Sequence, residues 1–284
     1  MWLEELKHWV LGRFGADVPP AVAVLRLDGV IGGRGPRGLT LGQLAGTIER
    51  AFAMRNLKAV ALSVNSPGGA PVQSALLYRR IRALAAERKI PVYAFAEDIA
   101  ASGGYWLLLA GDEIYADAAS IVGSIGVVTS GFGFPEVLKR LGIERRVQTS
   151  GRDKAMLDPF LAVDPRDLAR LERLQRDLHE TFKHLVEERR GPKLARDVPE
   201  LFEGEVFSGR RAAEIGLVDG LGDLRAVMRD RFGPEVRLRA LQAPRPWRRW
   251  RIPGMAPSRP GVGDLVAEVW SAIEERLLWS RWGL

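Results

Sequence analysis

Between residues 21 and 116, short apolar runs rich in β-branched residues alternate with stretches of helical periodicity, and this alternation leaves few folds open. Residues 21–27, 57–64 and 90–96 read as strands, and residues 113–116 as a further short one. Residues 41–54 and 72–88 read as helices, the second with Leu76, Leu77, Ile81, Leu84 and Ala85 at helical spacing. Strands separated by helices predict an α/β fold with a parallel-type sheet covered by helices. Farther on, residues 143–149 read as a strand. Asp164-Pro165 then opens a long helix, with a capping residue and a proline in its first turn. Leu168, Leu171, Leu174, Leu178, Phe182 and Leu185 form its expected buried stripe, and Gly191-Pro192 ends it. Shorter helices are expected at 209–214 and 224–231, with a turn at 216–222 between them.

A chain of 284 residues, 46% of them hydrophobic, is long enough for one large domain with a sizeable core. The pattern divides it into an amphipathic lead-in at 1–20, whose first 14 residues read as a helix, and a domain at 21–235. A Pro/Arg-rich linker at 236–261 and an amphipathic C-terminal helix at 262–284 follow. The chain contains no cysteine, which excludes disulfides, zinc–thiolate sites and thiol catalysis. Its formal net charge of +7 suits an acidic partner or an anionic surface. No apolar run reaches the roughly 18–20 residues that span a bilayer. The first residues, acidic and amphipathic, do not form a secretory signal. A G-x-G-x-x-G pattern occurs at Gly33, Gly35 and Gly38, but Pro36 interrupts it. The strand that follows ends in Asn65-Ser66-Pro67 rather than in an acidic residue, so dinucleotide binding is not expected.

The stretch Ala100-Ala101-Ser102-Gly103-Gly104-Tyr105-Trp106 sits where a strand gives way to a buried helix. A helix start aims free N–H groups and partial positive charge at this point, and glycines let a substrate backbone approach. Serine is also a favoured ordinary cap, so the stretch by itself fits both a nucleophile and a plain helix start. A serine nucleophile needs a base. The three histidines, His8, His179 and His184, lie in the terminal extension or on the long helix and read as solvated positions. The other candidate base is a lysine made neutral by burial, Lys154, in the loop ahead of the long helix. An isolated lysine of this kind is ordinarily a surface residue.

Four motifs follow one another in order: Asn65-Ser66-Pro67-Gly68-Gly69, Ala101-Ser102-Gly103-Gly104-Tyr105, Gly123-Ser124-Ile125-Gly126-Val127, and Ser150-Gly151-Arg152-Asp153-Lys154 through Pro159. Together they resemble the signal peptide peptidase A family of serine peptidases, in its short, single-domain bacterial form. The similarity runs from about Val22 to Gly222. The resemblance implies a Clp-protease/crotonase-type fold of repeated β-β-α units and a Ser–Lys dyad. Ser102 would be the nucleophile, Lys154 the general base and Ser124 the serine that hydrogen-bonds the lysine. Gly69 and Gly103 would supply the oxyanion-hole N–H groups. It further implies a ring-shaped homo-oligomer in which the lysine reaches the serine of a neighbouring protomer. The implied substrates are signal peptides and other small, membrane-derived or unfolded peptides. No cofactor, metal or nucleic acid is expected.

Two other readings of the same motifs stand beside this one. A crotonase-type acyl-thioester enzyme would use the Gly69 turn but has no need of the Ser102/Lys154 pair. An inactive membrane-associated scaffold would have no need of the pair either. Seven of the eight tryptophans, among them Trp2, Trp9, Trp247, Trp250 and Trp270, lie outside the matched region. Amphipathic, tryptophan-bearing ends suit peripheral membrane contact or packing on the domain and its neighbours. With no spanning segment seen, the expected location is the cytoplasm or the periphery of the inner membrane.

Overall fold

The computed structural model describes residues 19–33, 38–151, 153–195, 197–241, 273 and 276–283. The expected helix at 1–14 and most of the linker and of the C-terminal helix lie outside these residues, as do four residues of the 32–38 glycine stretch. Within them, the strand–helix alternation takes the form the sequence predicts. Strands β1 (Ala21–Asp28), β2 (Leu57–Ser66) and β3 (Val92–Ala101) pair in parallel, with helices α1 (Leu41–Phe52) and α2 (Pro71–Arg88) as crossovers. Helix α3 (Gly103–Leu108) leaves β3 after a single residue, and β4 (Glu113–Ala116) and β5 (Ile121–Gly123) both pair with β3. Next come α4 (Pro135–Arg140) and the long α5 (Pro165–Arg190), then β6 (Val206–Ser208), α6 (Gly209–Glu214), β7 (Gly220–Leu221), α7 (Leu224–Phe232) and β8 (Arg237–Leu241). The sheet path is β6-β5-β3-β2-β1-β8, with β4 branching from β3 and β7 pairing with β4. All pairings are parallel except β5 with β6. This is an α/β architecture with a parallel-dominated sheet.

The two sheet faces are covered unequally. On one, α1, α2, α3 and the C-terminal part of α5 bury a large core that includes Leu25, Ile48, Leu62, Ile81, Leu107 and Val186. A parallel sheet needs cover on both faces. Among the described residues, the second face is covered only in part, by α7, whose Met228 packs against Val22, Val24, Ala61 and Tyr93.

Three differences from the sequence reading have physical causes. Residues 143–149 form no strand: they are exposed and find no partner edge among the described residues. The stripe of α5 is buried only from Phe182 onward, while Leu168 and Leu174 are exposed, because the sheet lies under the last turns of the helix alone. Finally, residues 237–241, expected as the start of the linker, form β8 and pair in register with Ala21–Leu25. The alternating Arg-Leu-Arg pattern of that strand resembles linker composition, but it suits an edge with one face toward solvent.

Candidate active site

The site is built where β2, β3 and β5 end side by side. Strand β3 extends five residues past its apolar run, because the polar pair Glu97-Asp98 sits inside it and the chain continues through Ile99-Ala100-Ala101. Ser102 therefore stands directly between β3 and α3. Its backbone takes φ +53° and ψ −118°, where few non-glycine residues sit and which costs on the order of 1–3 kcal/mol. The strain is held from both sides: Ser102 N–H donates to the Gly123 carbonyl (2.8 Å), and Trp106 N–H donates to the Ser102 carbonyl (3.0 Å). Ser102 occupies the cap position of α3, yet its side chain makes no capping bond, and its hydroxyl has no hydrogen-bond partner among the described residues. The plain-cap reading of this serine thus fails, and what remains is a hydroxyl presented on a sharp strand-to-helix turn, the geometry of a nucleophile elbow.

Facing Ser102 is the turn Pro67-Gly68-Gly69 that closes β2. Both glycines have positive φ, +109° and +140°. A side chain is excluded at each. A Cβ on Gly68 would lie 2.9 Å from Ser102 Cβ, and one on Gly69 would lie 2.1 Å from the Ile31 carbonyl oxygen. The neighbouring N–H of Ala70 donates to that Ile31 carbonyl (2.8 Å), whereas Gly69 N–H makes no hydrogen bond among the described residues. Gly103, the first residue of α3, likewise carries an N–H with no helical partner. A Cβ there would stand 3.4 Å from Gly69 N, so the two free donors lie close together. Ser102, Gly69 and Gly103 line one small cavity of about 20 Å³, together with Pro71, Gly126, Val127, Trp106, Leu178 and Phe182. Trp106 stacks on Phe182 at 4.8 Å and 25°, walling the cavity with aromatic surface from α3 and α5.

Ser124 follows Gly123, whose carbonyl holds Ser102. It also has positive φ (+53°), is half-buried, and donates its N–H to the Glu205 carbonyl (2.7 Å), while its hydroxyl makes no hydrogen bond among the described residues. Lys154 is not gathered into this group. It is exposed, lies in a run of turns between residues 153 and 157, and is not among the residues lining the cavity. Its loop is nonetheless ordered by specific contacts. Asp153 pairs with Arg170 of α5 (2.7 Å), and Arg145 pairs with Asp158 (2.7 Å) while lying over the Phe160 ring (4.8 Å). The Phe160 N–H and the Arg145 guanidinium hold the Asp158 carboxyl below its usual pKa.

One packing device behind the site is not apparent from the motifs. Tyr105 is fully buried and donates its hydroxyl to the Leu217 carbonyl (2.8 Å), joining α3 to the 216–219 turn. That turn is clamped by Arg190, 2% exposed, which donates to the Gly216 carbonyl (2.9 and 2.7 Å) and to Asp219 (2.8 Å). Burial alone would raise the Asp219 carboxyl. Hydrogen bonds from Arg190, Lys193 and the Ile114 N–H outweigh it and leave the pKa lowered. His179, expected on a solvated helix face, is half-buried beside the cavity-lining Leu178, and its Nε2 is buried with no partner among the described residues.

Comparison with known proteins matches this arrangement to a family. The model of peptidase family S49 matches residues 85–231, a span that includes Ser102, Ser124 and Lys154. The chain is 48% identical over 98% of its length to a protein of Brucella abortus named Na(+)/H(+) antiporter NhaA, covering 39% of that protein. It is 29% identical over 77% of its length to the chloroplastic serine protease SPPA of Arabidopsis thaliana, covering 33% of it. It is also 32% identical over 58% of its length to a putative signal peptide peptidase SppA of Enterococcus faecium, covering 48% of it. The chain thus spans between a third and a half of the length of these relatives. Among solved structures, it is similar to a mutant of the 1510-N membrane-bound stomatin-specific protease, with a TM-score of 0.48 and 15% identity over 79% of this chain and 99% of that one. By the match of its central half to the family model, the chain belongs to peptidase family S49.

Proposed function

We propose that the chain is a serine peptidase that hydrolyses peptide bonds through a Ser102–Lys154 dyad. The observation that carries this reading is the uncommitted Ser102 hydroxyl, held on a strained strand-to-helix turn within one cavity with the free N–H groups of Gly69 and Gly103. In this mechanism Ser102 Oγ attacks the scissile carbonyl carbon while Lys154 Nζ, neutral, takes the hydroxyl proton. The Gly69 and Gly103 N–H groups hold the developing oxyanion. Lys154 then returns the proton to the leaving amine, water attacks the acyl-enzyme, and the acid product leaves with Ser102 restored. Ser124 orients the lysine through its free hydroxyl.

Lys154 must be supplied to Ser102 by a neighbouring copy in a homo-oligomeric ring. Two observations support that assembly. Lys154 is exposed and does not line the cavity of its own chain. In addition, twelve of the sixteen exposed large hydrophobics among the described residues lie between Val128 and Leu174, around the loop that carries it. Patches of this kind mark interaction surfaces, and an interface over the loop would desolvate the ammonium and favour its neutral form.

The substrates proposed are extended, unfolded peptides of the signal-peptide type, cleaved after small or apolar side chains. The shallow cavity walled by Trp106, Phe182 and Leu178 supports that preference. The antiporter name of the Brucella abortus relative belongs to a protein of which this chain matches 39%, and it is not carried over to this chain. A fluorophosphonate label should attach to Ser102, mapped by mass spectrometry, and Ser102→Ala should abolish both labelling and casein hydrolysis while leaving the circular dichroism unchanged. Labelling elsewhere, or wild-type turnover in the Ala variant, overturns the assignment.

A further inference from the structure

On the sheet face away from Ser102 there is an open cleft of about 780 Å³ that the proposed peptidase chemistry does not use. It exists because α7 covers only part of this face. Past Val24 and Phe95, the strands present Arg26, Ser63 and Glu97 in place of apolar residues, and no helix among the described residues lies over them. The floor is still apolar where Phe95, Leu224 and Leu238 meet. Four carboxylates stand around it: Glu97, Asp98, Asp117 and Asp223. All four are exposed. They accept hydrogen bonds from Ser63 Oγ, Asn65 Nδ2, Ala119 N–H and Ala226 N–H respectively. None forms an ion pair among the described residues, in a chain with seven more cations than anions.

Strand β8 forms a wall of this cleft through Leu238 and Ala240, and its parallel register with β1 brings Leu241 beside Leu25, one residue before Arg26. The chain therefore leaves the sheet at the rim of the cleft. It continues as Gln242-Ala243-Pro244-Arg245-Pro246-Trp247-Arg248-Arg249-Trp250-Arg251, with four arginines and two indoles in ten residues. Six extended residues reach about 20 Å, enough to bring Trp247 across the cleft. Arginines match carboxylates in charge and in fork geometry, and indoles match an apolar floor. We propose that residues 242–251 of the same chain dock in this cleft, completing the cover of the second sheet face that a parallel sheet needs.

The absence of native cysteine makes a direct test possible in the full-length protein. Pro246→Cys is paired with Ala119→Cys in the cleft, or with Arg225→Cys on its α7 side, or with Val72→Cys beside the Ser102 cavity as control. A short bis-maleimide should link the cleft pairs within one chain at several times the yield of the Val72 pair. Glu97→Lys with Asp98→Lys, or high salt, should reduce that yield several-fold, since exposed charge pairs are screened. Equal yields with the Val72 control would overturn the proposal. So would linkage that appears only as dimers when singly substituted chains are mixed, since the cleft would then take a second copy.

Discussion

A hydroxyl that neither caps its helix nor bonds a neighbour is uncommon at a helix start, and at Ser102 the backbone is strained to keep it so. The two glycines opposite are as tightly constrained. In Gly69→Ala the new Cβ would meet the Ile31 carbonyl at 2.1 Å, at a φ of +140° that L-residues avoid, so the turn must move and take its N–H with it. Hydrolysis by Gly69→Ala should fall roughly 10²–10³-fold in kcat, the loss seen when one oxyanion donor is removed. Steady-state kinetics on an unstructured peptide measures it, and an unimpaired kcat would remove Gly69 from the oxyanion hole. Lys154→Arg should be as damaging as Lys154→Ala, because arginine keeps the charge but cannot act as a base at accessible pH. Substantial activity in the Arg variant would reduce Lys154 to a charge that positions substrate. At this scale the motifs made Ser102 and the Pro-Gly-Gly turn legible. They did not reveal why Gly68 must lack a side chain, since its neighbour, Ser102 Cβ, is 34 positions away in sequence.

Among the elements, α3 carries the most dependence on its surroundings. It is only six residues long, too short to hold its own position. Tyr105 fixes it to the 216–219 turn, and the buried Arg190 fixes that turn to the end of α5. Asp219→Ala should destabilise the fold by roughly 3–5 kcal/mol, because it strips the carboxylate from a buried guanidinium. Chemical denaturation checks this. The Asp219 pKa is lowered in the folded state, so its contribution is present above the unfolded carboxylate value near 4 and is lost as pH falls through the lower folded value. The wild type should therefore lose stability steeply in that acid range, and Asp219→Asn should be destabilised at neutral pH yet show a flatter acid limb. The helices and strands before residue 116 were legible because a single chain buries both sides of their pattern. The stripe of α5 and the apolar alternation at 143–149 were not, since periodicity records that a face is apolar without saying what covers it.

For the whole molecule, the proposed sharing of Ser102 and Lys154 between copies would make activity a property of the assembly. Mixing Ser102→Ala with Lys154→Ala protomers should restore part of the activity, because some interfaces in a mixed ring unite an intact serine with an intact lysine. Specific activity should track the oligomer population seen by sedimentation. Failure of rescue in rings shown to be mixed would exclude a shared dyad and leave the Ser–Lys chemistry itself open. The pairing of β1 with β8 carries a different consequence, one that belongs to biosynthesis. Ala21 and Arg237 are neighbours in the sheet but 216 residues apart in the chain. On the ribosome, β1 and β2 emerge well before β8, so the outer edge of β1 stays open until residues 237–241 have been made. From the emergence of β1 until β8 has been made, the nascent chain thus carries an unpaired strand edge, the feature that invites aggregation. Newly made chains should depend on chaperone shielding until residue 241 has cleared the exit tunnel.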